Sequence, residues 1–457
     1  MSLQFITGGS GAGKSEYLSR LVCEESVRRP HDNFIVVVPE QYTMEIQKKL
    51  VHMHSRKGIL NIDVVSFERL AYKVFEELGG GNRPVLDDTG KNLIVRRVLE
   101  KEKKKLDYFG SSIEKTGFVS ELKSVISELL QYGITPQQLG EIGENVKEKQ
   151  QLSAKLKDIR LVYKEFMAFL STNYITSEEI LDVLCGLVEK SKLIAGSEII
   201  FDGFTGFTPI QYKLMRLLLV YSKGIKISVT IDKKERPTGH ESWNNLFFMS
   251  KEMMNRLIAI CEEEGINVDD TVCVDRDINY RYEGAKDLAY LERNLFRYKG
   301  GVYTGTPENI RIYEGSNPKE ELQYIVSEIL QLTRKEGFRY RDIAVVTADL
   351  ETYGKVAANM MKQNDIPAFL DYKRSVAANP YVEMLCSALE IVEKGYPYDT
   401  MFRYLRTGLT GISRHDIDML ENYCLAVGIR GSRAWHEPWK KKMKRSTYQP
   451  ELETLNA

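Results

Sequence analysis

The chain opens with short apolar runs that alternate with helical periodicities. Leu3, Phe5 and Ile6 read as a strand, and Tyr17, Leu18, Leu21 and Val22 recur at helical spacing behind them, over a helix from Glu16 to about Glu25. Asn33 to Pro39 contains Phe34-Ile35-Val36-Val37-Val38, the continuous β-branched pattern of a strand buried on both faces, and Thr43 to Leu50 returns to helical spacing. Ile62-Asp63-Val64-Val65 predicts a third strand. Ser66-Phe67-Glu68-Arg69-Leu70-Ala71-Tyr72 opens a third helix, with Ser66 at its N-cap or first turn. Three β–α units within residues 1–80 predict a doubly wound parallel sheet, whose ligands sit at the carboxyl ends of its strands.

Gly79-Gly80-Gly81-Asn82-Arg83-Pro84 breaks this rhythm, and from Asp87 to about Lys192 the apolar positions follow helical spacing. The α/β pattern resumes with a strand Glu198–Asp202, a helix Pro209–Leu219 and a strand Ile225–Asp232. A second α/β region starts near Asn309. It predicts strands at Ile310–Tyr313, Asp342–Thr347 and Pro367–Leu370, and helices at Asn317–Leu332 and Tyr353–Asn364. The tail from Pro380 to about Gly431 is helical and runs into Trp435, Trp439 and the basic residues Lys440-Lys441-Lys442 and Lys444-Arg445. Those tryptophans offer two readings: a DNA-stacking surface, or a segment separated from its packing partner. The expected division is a first lobe (1–80 and 196–285) interrupted by a helical insertion (81–195), a second lobe (286–372), and the start of a second helical insertion (373–457).

Composition narrows this picture only a little. The 457 residues carry 64 Lys and Arg against 64 Asp and Glu, so any basic surface for nucleic acid must be local. The run from Lys101 to Lys105 reads as a solvated helix face. The cysteines (Cys23, Cys185, Cys261, Cys273, Cys386, Cys424) are scattered and read as buried thiols of a reducing compartment. His52 and His54 form the only close histidine pair and read as surface residues. No signal-like segment precedes the first strand and no apolar run reaches membrane-spanning length, so a cytoplasmic protein without a membrane partner is expected.

The candidate chemistry lies between the first strand and helix. Gly8-Gly9-Ser10-Gly11-Ala12-Gly13-Lys14-Ser15 fits G-x-x-x-x-G-K-[ST], the loop that cradles nucleotide phosphates. Gly8, Gly11 and Gly13 allow the tight turn that aims consecutive N–H groups at an anion. Lys14 brings charge to the β- and γ-phosphates of ATP, and the Ser15 hydroxyl is a ligand for Mg2+. Asp202, at the end of an apolar strand, has the form of the second Mg2+ ligand of such sites; its plainer reading is an aspartate capping a strand end.

With the helical insertion and second lobe added, the order of parts resembles the superfamily 1 UvrD/RecB-type helicases, and within them the AddB family, the B subunits of bacterial AddAB helicase/nucleases. The segments that carry the resemblance include Ile6 to Ser15, Val38-Pro39-Glu40-Gln41, Val65-Ser66-Phe67, Phe201 to Pro209, Asp365-Ile366-Pro367, Leu405 to Leu409, Leu420 to Tyr423 and Gly428 to Gly431. The resemblance spans essentially the whole chain. It implies an α/β fold of two RecA-like P-loop lobes with helical insertions. It also implies an AddA-type partner in a heterodimer, single- and double-stranded DNA as partners, and scanning for the Chi sequence during recombinational repair. By the same likeness Gln41, Ser66 and Phe67 fall on the single-strand path. The nuclease domain and iron–sulfur cluster implied for full-length members find no counterpart in these residues, so the chain reads as an N-terminal portion.

The departures bear on hydrolysis. Gly203 stands where these helicases place a water-positioning glutamate, Glu235 where they place a glutamine, and Ala348 where the second lobe supplies an arginine. Each loss removes transition-state stabilisation while leaving phosphate binding by Lys14, Ser15 and the loop amides intact. The expectation is a lobe that holds ATP and hydrolyses it little. Two alternatives stay open: a scaffold with a vestigial loop, and a small-molecule P-loop kinase, for which a catalytic acid and an arginine-rich lid are wanting.

Overall fold

Period-two alternation explains how one sheet separates two cores. In the computed structural model, which describes residues 1–79, 84–115, 117–146, 149–176, 179–235, 243–297, 300–371 and 376–442, the main strands are β1 (Ser2–Gly8), β2 (Asn33–Val37) and β3 (Ile62–Val65). A short pair follows, β4 (Val85–Leu86) and β5 (Ile175–Thr176), and then β6 (Ser197–Phe201), β7 (Gly224–Thr230), β8 (Asn267–Val268) and β9 (Val272–Cys273). The large sheet runs β3-β2-β6-β7-β1-β8, with β9 also on β1, and each of its pairings is parallel. Its order reverses beside β1, so the loop after β1 opens at a topological switch point.

Phe5, Ile35, Val37, Ile199, Phe201, Ile227 and Val229 point to one face. There they meet the helices Phe67–Leu78, Ile180–Cys185, Pro209–Tyr221 and Phe248–Glu264. Ile6, Phe34, Val36 and Ile200 point to the other, against Leu18, Val22 and Cys23 of the helix Lys14–Arg28 and Leu50 of Thr43–Met53. Burial on both faces is why β2 reads as an unbroken apolar run. Ser66 is the N-cap expected of it: its Oγ accepts the Arg69 N–H at 3.3 Å. Phe67, only 6% exposed, completes a cluster with Phe201, Phe204 and Phe207 at ring separations of 5.7, 5.4 and 6.1 Å. Phe67→Ala should therefore cost about 3–5 kcal/mol of stability, read by urea unfolding; a loss below about 1 kcal/mol would mean that the cluster is not packed as described.

The helical insertion has a separate core. Val95, Leu99, Leu122, Ile126, Val162, Phe166 and Leu170 pack together from the helices Asp88–Glu102, Phe118–Gln131 and Gln150–Asn173. The lysine run is an ionic face: Lys101 pairs with Glu165 at 2.9 Å, Lys103 with Glu114 at 3.0 Å and Lys105 with Glu102 at 2.6 Å. Gly80 to Arg83 of the breaker cluster lie outside the described residues.

Contacts divide the chain into Met1–Arg311 and Ile312–Ala457. In the first unit, Asp287 pins the approach to the division. Its carboxylate accepts the Asn309 N–H at 2.7 Å, the Asn309 side-chain amide at 2.9 Å and the Glu308 N–H at 2.9 Å, and these donors hold it down to about 2. In the second unit the helices form as read, at Pro318–Lys335 (capped by Asn317) and Leu350–Gln363 (capped by Asp349), packed through Leu322, Val326, Ile329, Met360 and Met361. The strands expected at 310–313, 342–347 and 367–370 are not strands among the described residues. Ile312, Val346 and Phe369 are 95%, 92% and 90% exposed, because an extended segment becomes a strand only when a neighbouring backbone pairs with it.

Two smaller expectations also change. His54 is buried rather than on the surface, with Nε2 3.1 Å from the Ser26 hydroxyl and Nδ1 accepting the Arg56 N–H. Cys273 and Cys386 are exposed, whereas the other four cysteines are buried. Trp435 and Trp439, both half-buried, pack on each other at 5.4 Å and on Phe402 and Tyr423 inside the second unit. Lys444 and Arg445 lie outside the described residues. No described helix is long and apolar enough to cross a membrane.

Candidate nucleotide site and family

The end of β1 and the start of the helix Lys14–Arg28 are joined by a loop whose glycines serve two purposes. Gly11 and Gly13 sit at φ +73° and +95°, where a side chain would be strained. Gly8 is needed for space instead: a Cβ there would lie 3.0 Å from the Ala12 methyl and 3.1 Å from Val274. Gly13 also caps the helix, its carbonyl accepting the Tyr17 N–H at 2.8 Å. The helix thus directs its free N-terminal amides, and the positive end of its dipole, toward the loop opening.

A cavity of about 440 Å³ opens there. Ser10, Gly11, Gly13, Lys14 and Ser15 line it from the loop, Asp202, Gly203, Phe204 and Thr205 from the end of β6, and Lys49 and Arg281 from elsewhere in the chain. The Lys14 ammonium donates to the Gly8 and Gly9 carbonyls, both at 2.9 Å. Burial holds it below the usual lysine range, against the upward pull of Asp202 and Asp275. Asp202, 8% exposed, accepts the Ser228 hydroxyl at 2.6 Å on one oxygen, and Ser228 in turn accepts the Gly203 N–H at 3.3 Å. The serine fixes the carboxylate's orientation and leaves its second oxygen available. Ser15 and Asp202 therefore share one cavity. One hydroxyl and one carboxylate, completed by phosphate oxygens and water, suit Mg2+, which rarely uses an all-protein cage. Among the described residues no group of three or more His, Cys, Asp or Glu side chains could hold a metal ion.

The departures from the helicase pattern have structural counterparts. Gly203 adopts φ +84°, so a residue with a side chain there would be strained, although a Cβ would meet Pro39 only at ordinary contact distance, 3.5 Å. Glu235 is committed to Lys251 at 2.6 Å, and Lys251 is itself buried. Asp232 is held by Arg297 at 2.6 Å. In the second unit Ala348 is exposed and offers no charge. Of the expected DNA residues, Gln41 is exposed just beyond β2, whereas Ser66 and Phe67 are buried in a cap and an aromatic cluster.

Sequence reasoning missed the residues that cover the loop. Asn279 donates its side-chain amide to the Ser10 carbonyl at 3.3 Å, the Arg281 N–H donates to the Gly11 carbonyl at 3.3 Å, and Glu292 accepts the Ser10 N–H at 3.2 Å. Burial and the nearby Asp232 push the Glu292 carboxyl up. These residues lie more than 260 positions from the loop and fall in no recognisable motif, so no local signal marks them.

Comparison with known proteins follows the same lines. The family described as "ADDB, N-terminal" matches residues 5–292, well over half of the chain. The B subunit of the ATP-dependent helicase/deoxyribonuclease of Lachnoclostridium phytofermentans is 41% identical over 100% of this chain and 40% of its own length. The B subunits of the same name from Caldanaerobacter subterraneus and Clostridioides difficile are each 36% identical, over 98% and 99% of this chain and 38% and 39% of theirs. The chain thus spans about 40% of the length of these relatives. A loop-bearing parallel sheet, a helical insertion and this shared sequence lead to one assignment: the chain belongs to the ADDB family and corresponds to the N-terminal part of the helicase/deoxyribonuclease B subunits.

Proposed function

We propose that this chain is the nucleotide-holding, DNA-contacting N-terminal part of a B subunit that works with an AddA-type helicase/nuclease in the bacterial cytoplasm. It binds ATP with Mg2+ through Gly8 to Ser15 and Asp202, and turns it over too slowly to act as the motor. The observation that carries this reading is the cavity itself: Lys14, Ser15 and Asp202 converge on it, while Gly203 fills the place of the water-positioning carboxylate. The relatives' shared name supports membership of a multi-subunit DNA-processing complex. Single-stranded DNA, scanned for Chi during recombinational repair, runs past the exposed Gln41, while the buried Ser66 and Phe67 only hold the start of the helix Phe67–Leu78.

Titration with a fluorescent ATP analogue and Mg2+, followed by phosphate-release measurements on the same samples, tests the reading. Saturable binding with release at background is expected. Absence of binding would leave a scaffold with a vestigial loop, and vigorous release would make this lobe a motor. Gln41→Ala should weaken single-strand binding by roughly threefold to tenfold in fluorescence anisotropy, the range for one lost hydrogen bond. Unchanged affinity would remove Gln41 from the DNA path.

A further inference from the structure

A phosphate-binding loop works because its amide hydrogens lack partners until an anion arrives. Here one of them already has an anion. The Ser10 N–H donates to Glu292 Oε1 at 3.2 Å, and the same oxygen lies 3.1 Å from where a Cβ on Gly9 would stand. The contact is built in: Asn279, almost fully buried, clamps the Ser10 carbonyl, and the Arg281 backbone clamps Gly11. Glu292 forms no ion pair among the described residues, whereas neighbouring Asp232 is held by Arg297. Asp275 is also tied down, accepting the Lys233 N–H at 3.0 Å. Asp275 Oδ1 also lies near Gly9, 3.4 Å from where a Cβ there would stand, but among the described residues Glu292 is the acid of this group that accepts a loop amide.

Its place along the loop fixes what it displaces. The amides at the helix start hold the inner phosphates, and Lys14 reaches toward the outer ones. Ser10 lies on the strand side of the loop, and the Lys14 ammonium feels Asp202, Asp275 and Glu292 together. A third phosphate beside Ser10 therefore meets the Glu292 carboxylate, at the edge of a cavity to which Lys14, Lys49 and Arg281 bring positive charge.

We infer that Glu292 occupies the seat of the terminal phosphate and sets the nucleotide preference of this site: a nucleoside diphosphate binds beside the carboxylate, and a triphosphate must displace it. The inference rests on the nucleotide reading of the loop.

Equilibrium titrations of fluorescent ATP and ADP analogues with Mg2+ on the wild-type chain, Glu292→Gln and Glu292→Ala test it. Each protein is first checked for an unchanged thermal transition. Both substitutions should tighten triphosphate binding by roughly tenfold, with diphosphate binding moving by less than about twofold. The glutamine variant keeps an acceptor for the Ser10 N–H, so agreement between the two variants isolates the charge. A ratio of ATP to ADP affinity that is the same in all three proteins overturns this inference and leaves the nucleotide site standing. Failure of all three to bind either nucleotide overturns the nucleotide reading, and this inference with it.

Discussion

Lys14→Ala is expected to reduce Mg2+-ATP affinity by about tenfold to more than a hundredfold while leaving the fold intact. The ammonium is mostly enclosed and donates to two carbonyls of its own loop, so it is held at the cavity without a ligand. When phosphates enter, those donors can turn to charged oxygens, and hydrogen bonds to charged groups contribute about 1.5–3 kcal/mol each. Alanine removes the charge and the donors together. The Gly8 and Gly9 carbonyls that lose the lysine keep backbone partners, the Ile231 N–H at 3.2 Å and the Ala12 N–H at 3.3 Å, so the cost to stability stays small. Calorimetric titration of nucleotide, paired with a thermal melt, separates the two effects. Equal affinity in variant and wild type would show that this lysine does not face a bound phosphate.

The second large effect lies away from the cavity. Asp158, 0% exposed, projects from the helix Gln150–Asn173 and accepts three backbone N–H groups: Asp107 at 3.1 Å, Tyr108 at 2.8 Å and Phe109 at 2.9 Å. These amides follow the short 3-10 turn Lys103–Lys105 and have no helical acceptor. Asp158→Ala removes the acceptor of all three, one of them the buried Phe109 amide, and empties a fully buried site, at a cost of roughly 3–5 kcal/mol, a large share of the few kcal/mol per domain that separate folded from unfolded chains. Asp158→Asn keeps one acceptor oxygen and should fall between. Urea unfolding followed by circular dichroism measures the loss. Hydrogen exchange localises it, with the amides of residues 107–109 expected to lose protection first. A loss under about 1 kcal/mol for the alanine variant would mean that water takes over the carboxylate's role.

How much of this could be read without the structure differs between elements. The strands β1, β2, β3, β6 and β7 and the helices between them were legible because burial on both sheet faces leaves unbroken apolar runs, and helix packing leaves a 3.6-residue stripe. The helical insertion was legible for the same reason. In the second unit the same apolar runs did not yield strands, because periodicity records which residues avoid water and not whether a backbone lies alongside. Phe67 shows the limit for single residues. One aromatic at the end of a strand fits a base-stacking platform or a core equally well, and only the positions of Phe201, Phe204 and Phe207 place its ring in a cluster.

The site divides in the same way. By itself the sequence determined the G-x-x-x-x-G-K-[ST] loop and the aspartate that follows the apolar run of β6, because each is a local pattern, whereas Gly203 in place of a water-positioning acid follows only from the resemblance to the helicases. Only the tertiary structure decided that Asn279, Arg281 and Glu292 close over that loop, and that Asp158 serves amides some fifty positions away. Hydrogen bonds and charge interactions act through space over a few ångströms, and nothing in the local order of residues records which distant groups the fold brings within that range.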